Sequence, residues 1–203
     1  MLGKTSPKLV AGLVLVVFAA FFLIFIPLGE SLSGQLNITQ VAKASWRGNE
    51  SNASGLNAAD SAGDFNGDGF ADIIMTSLYA NYSGKRTGKA FIVYGPVNGT
   101  DLNITAAANA TWYGAATSVA GVGDVNNDGY DDVLIGNYGN DEGGPNAGKV
   151  YLVYGGSNIL GVFNISTANA TWYGEASSDR LGEGFDSLAG AGDVNNDGYD
   201  DML

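Results

Sequence analysis

Apolar residues fall into two kinds of run along this chain. Leu9 to Leu28 is one long, uncharged and almost wholly apolar stretch, whereas the chain after about Leu36 breaks into short β-branched and aromatic runs between Gly, Asn and Pro clusters. Runs of about 4–8 such residues are too short for helices and read as strands. The clearest set is Ser118 to Val125, Asp132 to Gly136, Lys149 to Tyr154, and a fourth run opening at Ala110 or Ala170. The pattern predicts an all-β chain with four short antiparallel strands per unit, preceded by one N-terminal apolar helix.

The runs recur. LNITQVAKASWRG (Leu36 to Gly48), LNITAAANATWYG (Leu102 to Gly114) and FNISTANATWYG (Phe163 to Gly174) are copies of one another, as are KAFIVYG from Lys89 and KVYLVYG from Lys149. A period of this length marks an array of supersecondary units. Residues 1–30 form a signal or anchor segment and 31–203 the repeats, with units at roughly 58–113, 114–173 and 174–203. Four antiparallel strands per unit is the blade plan of a β-propeller; an open β-solenoid is the other architecture, although its coils are shorter. Two full units and half a third cannot close a ring of about 4–8 blades, so an incomplete ring of about two and a half blades is expected. Trp46, Trp112 and Trp172 recur at one position of the repeat and are expected in the core rather than as sugar platforms.

Between the first two strands of each unit stands the pattern Asp-x-Asn-x-Asp-Gly-x-x-Asp: DFNGDGFAD from Asp64, DVNNDGYDD from Asp124, and DVNNDGYDD again from Asp193. A tight loop turns the oxygens of alternate residues toward one centre, and Ca²⁺ takes about 6–8 oxygens at roughly 2.3–2.6 Å. The expected ligands are Asp64, Asn66, Asp68, the Phe70 carbonyl and Asp72; then Asp124, Asn126, Asp128, the Tyr130 carbonyl and Asp132; then Asp193, Asn195, Asp197, the Tyr199 carbonyl and Asp201. Up to three Ca²⁺ ions are expected. An EF-hand is excluded, because its loop runs on to a Glu at the twelfth position, where this chain has Met75 and Ile135. Asn-Gly and Asp-Gly steps also make ordinary hairpin turns without a metal, but clustered acids in three copies repel one another unless a cation joins them.

These residues resemble the FG-GAP repeats of integrin alpha-subunit propellers and their prokaryotic cell-surface relatives. The likeness is closest at SVAGVGDVNNDGYDDVLIG from Ser118 and SLAGAGDVNNDGYDDML from Ser187, and looser at SAGDFNGDGFADIIM from Ser61. The naming motifs have drifted, with Ala115 and Ala116 in place of Phe-Gly, and Gly136, Asn137 and Tyr138 in place of Gly-Ala-Pro. The resemblance implies a propeller, usually seven-bladed, with calcium in the hairpin on one face and partner-binding loops on the other.

Composition narrows the function. The chain has 203 residues, no Cys and no His, which removes thiol nucleophiles, zinc sites of Cys and His, and any Ser-His-Asp triad. Net charge is -12, and 11 of the 21 acids lie in the three loops. With nine basic residues and no basic stripe, nucleic acid is not an expected partner. The Leu9–Leu28 run is long enough to cross a bilayer, and Lys4 and Lys8 before it leave the rest outside the membrane; its length favours an anchor over a cleaved signal. Asn-x-Ser/Thr triplets at Asn37, Asn49, Asn52, Asn81, Asn98, Asn103, Asn109, Asn164 and Asn169 agree with export and glycosylation. The expectation is a calcium-binding extracellular module for adhesion or for binding a protein or glycan ligand. The alternative is a scaffold or accessory domain of a secreted carbohydrate-active or hydrolytic enzyme, although no catalytic constellation is evident. Partner contacts are expected on Leu78–Gly88, Tyr138–Gly148 and Glu175–Phe185, through Tyr79, Tyr82, Tyr138, Arg86 and Arg180.

Overall fold

The computed structural model describes residues 44–47, 56–83, 85–114, 116–184 and 187–203. The Leu9–Leu28 run and Asn37, Asn49 and Asn52 lie outside the described residues. Among the described residues no helix is long and apolar enough to cross a membrane.

The fold is mostly β, with several antiparallel sheets and a propeller-like arrangement. Strand β1 (Ala44–Arg47) leads in. The first unit holds β2 (Ala59–Gly63), β3 (Asp72–Ser77), a small hairpin of β4 (Asn81–Tyr82) and β5 (Lys85–Arg86), β6 (Lys89–Val93), β7 (Gly99–Asn103), one four-residue helix α1 (Ile104–Ala107), and β8 (Ala110–Tyr113). The second holds β9 (Ser118–Gly123), β10 (Asp132–Asn137), β11 (Lys149–Val153), β12 (Gly161–Asn164), a 3-10 turn at Ile165–Thr167, and β13 (Ala170–Tyr173). The third contributes the hairpin β14 (Gly190–Gly192) and β15 (Asp201–Met202).

In the second unit β9, β10, β11 and β13 pair in sequence as a four-stranded antiparallel sheet. Its strands alternate, and both faces are covered. Val133, Ile135, Tyr151 and Val153 point to a core shared with Ile74, Ala90, Ile92 and Trp112 of the first sheet. Leu134, Val150 and Leu152 point the other way, toward Leu188 and Met202 of the third hairpin. Each fully covered side chain of this size contributes roughly 1.5–3 kcal/mol. That is why these strands are apolar at successive positions rather than at every second one.

The first sheet departs from four antiparallel strands. To β2, β3, β6 and β8 it adds β12 from the second unit, parallel to β8, with Gly161 opposite Ala110 and Asn164 opposite Tyr113. In the same way β7 runs parallel to β1. The LNIT and FNIS copies thus contain a short strand that lies on the outer strand before the unit they belong to. Its partner comes from a neighbouring unit, so no local alternation announces it.

Trp112 is 3% exposed, packed edge-on to Phe65 with ring centroids 6.2 Å apart and stacked on Phe163 of β12 at 5.4 Å. Trp172, at the same place in the next copy, is 43% exposed. Core placement therefore holds for Trp112 and not for Trp172. No strand overlies β13 among the described residues as β12 overlies β8, so the Trp172 ring has no counterpart of the Phe163 lid. The side chain of Trp46 lies outside the described residues.

Candidate metal centres

Each acid loop joins the first two strands of a unit, β2 to β3, β9 to β10 and β14 to β15. In the first loop the Asp64 carboxylate accepts the Asp68 N–H through Oδ1 (2.9 Å) and the Gly69 N–H through Oδ2 (2.9 Å). Asn66 Oδ1 also accepts from the Asp68 N–H (2.8 Å), Asn66 Nδ2 donates to Asp68 Oδ2 (2.9 Å), and Asp68 Oδ1 accepts from the Phe70 N–H (2.9 Å). The second loop repeats this with Asp124, Asn126, Asp128, Gly129 and Tyr130. The third repeats it with Asp193, Asn195, Asp197, Gly198 and Tyr199, except that Asn195 Nδ2 donates to Asp201. The sixth-position glycines have φ of +87°, +89° and +90°, a conformation that costs glycine little and other residues much.

The loops thus fold on their own amides. Positions one, three and five come together at each hairpin, and the seventh residue follows them, with Phe70 and Tyr199 side chains exposed. Position nine is turned inward. Asp72 and Asp132 are 1% and 0% exposed. Asp72 accepts from Asn66 N (3.2 Å) and Gly95 N (2.8 Å), and Asp132 from Val125 N (3.0 Å) and Gly155 N (2.8 Å). Each ties its loop to the end of the third strand of the unit. Asp201 accepts from Val194 N at 3.0 Å.

This arrangement strains the inner carboxylates electrostatically. Burial pushes Asp132 up from 3.8 to about 6; the amides of Gly155 and Val125 pull it down, and Asp128 and Asp124 push it up further. Asp72 is raised for the same reasons, by burial first, with Asp68 and Asp64 adding to it. Burial, with Asp72 and Asp68, lifts Tyr94 to about 12, and its hydroxyl donates to Ile159 O at 2.7 Å.

Among the described residues no three acids converge into a ready-made metal cluster. The donor set nevertheless fits a hard cation. It consists of carboxylate, amide and carbonyl oxygens without nitrogen or sulfur, and a carboxylate oxygen that accepts one N–H keeps a second lone pair.

Two residues outside the expected ligand set belong to these loops. Asp131 Oδ2 accepts the N–H of Asp64 at 2.6 Å, and Asp131 N–H donates to Asp64 O at 3.2 Å, across 67 residues. Asp200 meets Asp124 in the same way, at 2.9 and 3.1 Å. In the sequence they stand out only as added charge and by their recurrence at the eighth position, against Ala71 in the first loop.

At the opposite end of the second sheet, Tyr138–Gly148 is zipped to the segment after β13. Arg180 N–H donates to Asn146 O (3.1 Å), Leu181 N–H to Ala147 O (2.9 Å), and the Arg180 guanidinium lies 5.0 Å from the Tyr138 ring centroid. Lys149 and Glu142 form an ion pair there. Tyr79 is 44% exposed, and Tyr82 stacks on Tyr113.

No curated protein matches the chain. The FG-GAP repeat family matches at residues 57–93 and 115–153, segments that contain the first and second acid loops with the strands around them. Such repeats are typically extracellular β-propeller modules in binding proteins, which suggests an extracellular or surface protein. Hairpin, acid loop and third strand at residues 57–93 and 115–153 thus make two FG-GAP repeats, consistent with an FG-GAP repeat protein.

Proposed function

We propose that the chain is a calcium-binding, extracellular β-propeller module that binds a protein or glycan partner, as in adhesion. The observation that carries this reading is the threefold recurrence of one hard-oxygen loop at one place in the fold. Asp64, Asn66, Asp68, the Phe70 carbonyl and Asp72 would hold one ion, and their counterparts in the second and third loops two more. When bound, the ion supplies positive charge to the carboxylates of each loop. The loop residues give it a shaped, oxygen-lined turn, and Asp72 and Asp132 carry its effect to Gly95 and Gly155 at the end of the third strand.

The role is structural. An ion that binds the folded loop alone stabilises the fold by mass action, by about 2.7 kcal/mol per site at a hundredfold excess over Kd. Partner contact falls to the opposite rim, where Tyr79, Tyr138 and Arg180 stand on connections between the strands. The N-terminal apolar segment joins the module to a membrane. Thermal unfolding of the full chain in detergent, with calcium and with excess chelator, tests the reading. A midpoint several degrees lower in chelator is expected, and coincident curves would remove the structural role.

A further inference from the structure

We propose that Asp131 and Asp200 are positioning residues, each holding the ion-binding loop of the preceding unit in its working shape. The proposal rests on the calcium reading above and adds that a loop is completed by the unit after it. Asp64 and Asp124 occupy the first loop position, where one carboxylate gathers the amides of the fifth and sixth residues. The main chain of that first residue must be fixed for its carboxylate to point into the turn. Asp131 does this for Asp64 with a reciprocal pair of hydrogen bonds, and Asp200 does it for Asp124.

The glycine before each first position completes the clamp. Gly63 and Gly123 have φ of +62° and +73°, and a Cβ on either would overlap the carboxylate of Asp131 or Asp200. Two further contacts seat the second unit on the first loop: Gly156 N–H donates to Phe65 O at 2.8 Å, and the Tyr130 ring lies where a Cβ on Gly67 would stand. The clamping carboxylate bonds the main chain of the first-position residue of the loop beside it, so it acts on the ion through Asp64 or Asp124 and lies outside the proposed ligand set.

The test is a CaCl₂ titration of the full chain in detergent, labelled with ¹⁵N-glycine and followed by NMR. The amides of Gly69, Gly129 and Gly198 each donate to the first-position Asp of their own loop, at 2.9, 2.7 and 2.9 Å, and report the three loops separately. A hydrogen bond to a charged group implies that Asp131→Ala weakens the Gly69 response about tenfold. Gly129 and Gly198 should hold their midpoints, and Asp200→Ala should move Gly129 instead. Asp131→Asn, which keeps an acceptor without the charge, should restore most of the Gly69 response; Asp131→Ser replaces the alanine variant if that one does not fold. An unchanged Gly69 midpoint, an equal shift at all three glycines, or an asparagine variant as impaired as alanine would overturn the positioning role. If the parent glycines ignore calcium, the calcium reading itself fails and takes this inference with it.

Discussion

Phe163 of β12 lies stacked on Trp112 of β8, ring centroids 5.4 Å apart and planes 26° from parallel. A residue of the second unit thus closes the outer edge of the first sheet, where side-chain stacking and a parallel strand pair coincide.

Phe163→Ala removes that lid. The expected cost is about 2–4 kcal/mol, at or below the range for fully buried Phe because Phe163 is only partly covered. Trp112 emission should shift to the red and become open to acrylamide, as expected of the 43% exposed Trp172 in the parent. Trp172→Phe and Trp46→Phe backgrounds isolate the Trp112 signal; unaltered Trp112 quenching in Phe163→Ala would contradict the packing.

Asp132 makes a pH-dependent contribution. Its folded pKa of about 6 lies above 3.8, so between these values the folded state holds more of this proton than the unfolded state. Its contribution to stability in chelator is therefore fully present below about pH 3.8 and is lost as pH rises through about 6. Calcium favours the ionised carboxylate and should reverse the trend. Asp132→Ala leaves the amides of Val125 and Gly155 without their acceptor, at about 2–4 kcal/mol for the pair. Urea unfolding from pH 4 to 7, with and without calcium, reads all three effects.

Several Asn-x-Ser/Thr triplets have a second reason to exist. Asn103 and Asn164 cap α1 and the 3-10 turn by accepting from Thr105 N and Ser166 N. Asn109 and Asn169 accept from Tyr94 N and Tyr154 N, each at 2.9 Å, joining the third strand of a unit to its fourth. Asn109→Asp destroys the triplet but keeps the acceptor, so its melting point should match the unglycosylated parent. Asn109→Ala should cost about 1–2 kcal/mol. Equal stability of the two variants would contradict the bracing role.

Strands were legible where both the pattern and the partner were local. Ser118, Asp132 and Lys149 open β9, β10 and β11 as their runs implied, and the acid loops join the first two strands of each unit. What the sequence concealed depends on a neighbouring unit. Gly99–Asn103 and Gly161–Asn164 look like loop residues until the outer strand beside them is in place. Trp112 and Trp172 have the same local sequence, but only one receives a lid. In the sequence the loops are clusters of repelling acids, whereas in the fold backbone amides of the loops bond those carboxylates, and the inward turn of Asp72 and Asp132 follows from amides at Gly95 and Gly155, 23 residues along the chain.

Calorimetric titration of the chelator-stripped full chain with CaCl₂ tests the central claim most directly. Saturable heat with a stoichiometry approaching three ions per chain, abolished in part by Asp68→Ala, Asp128→Ala or Asp197→Ala singly, is the predicted result. A folded protein that takes up no calcium at millimolar concentration would contradict it.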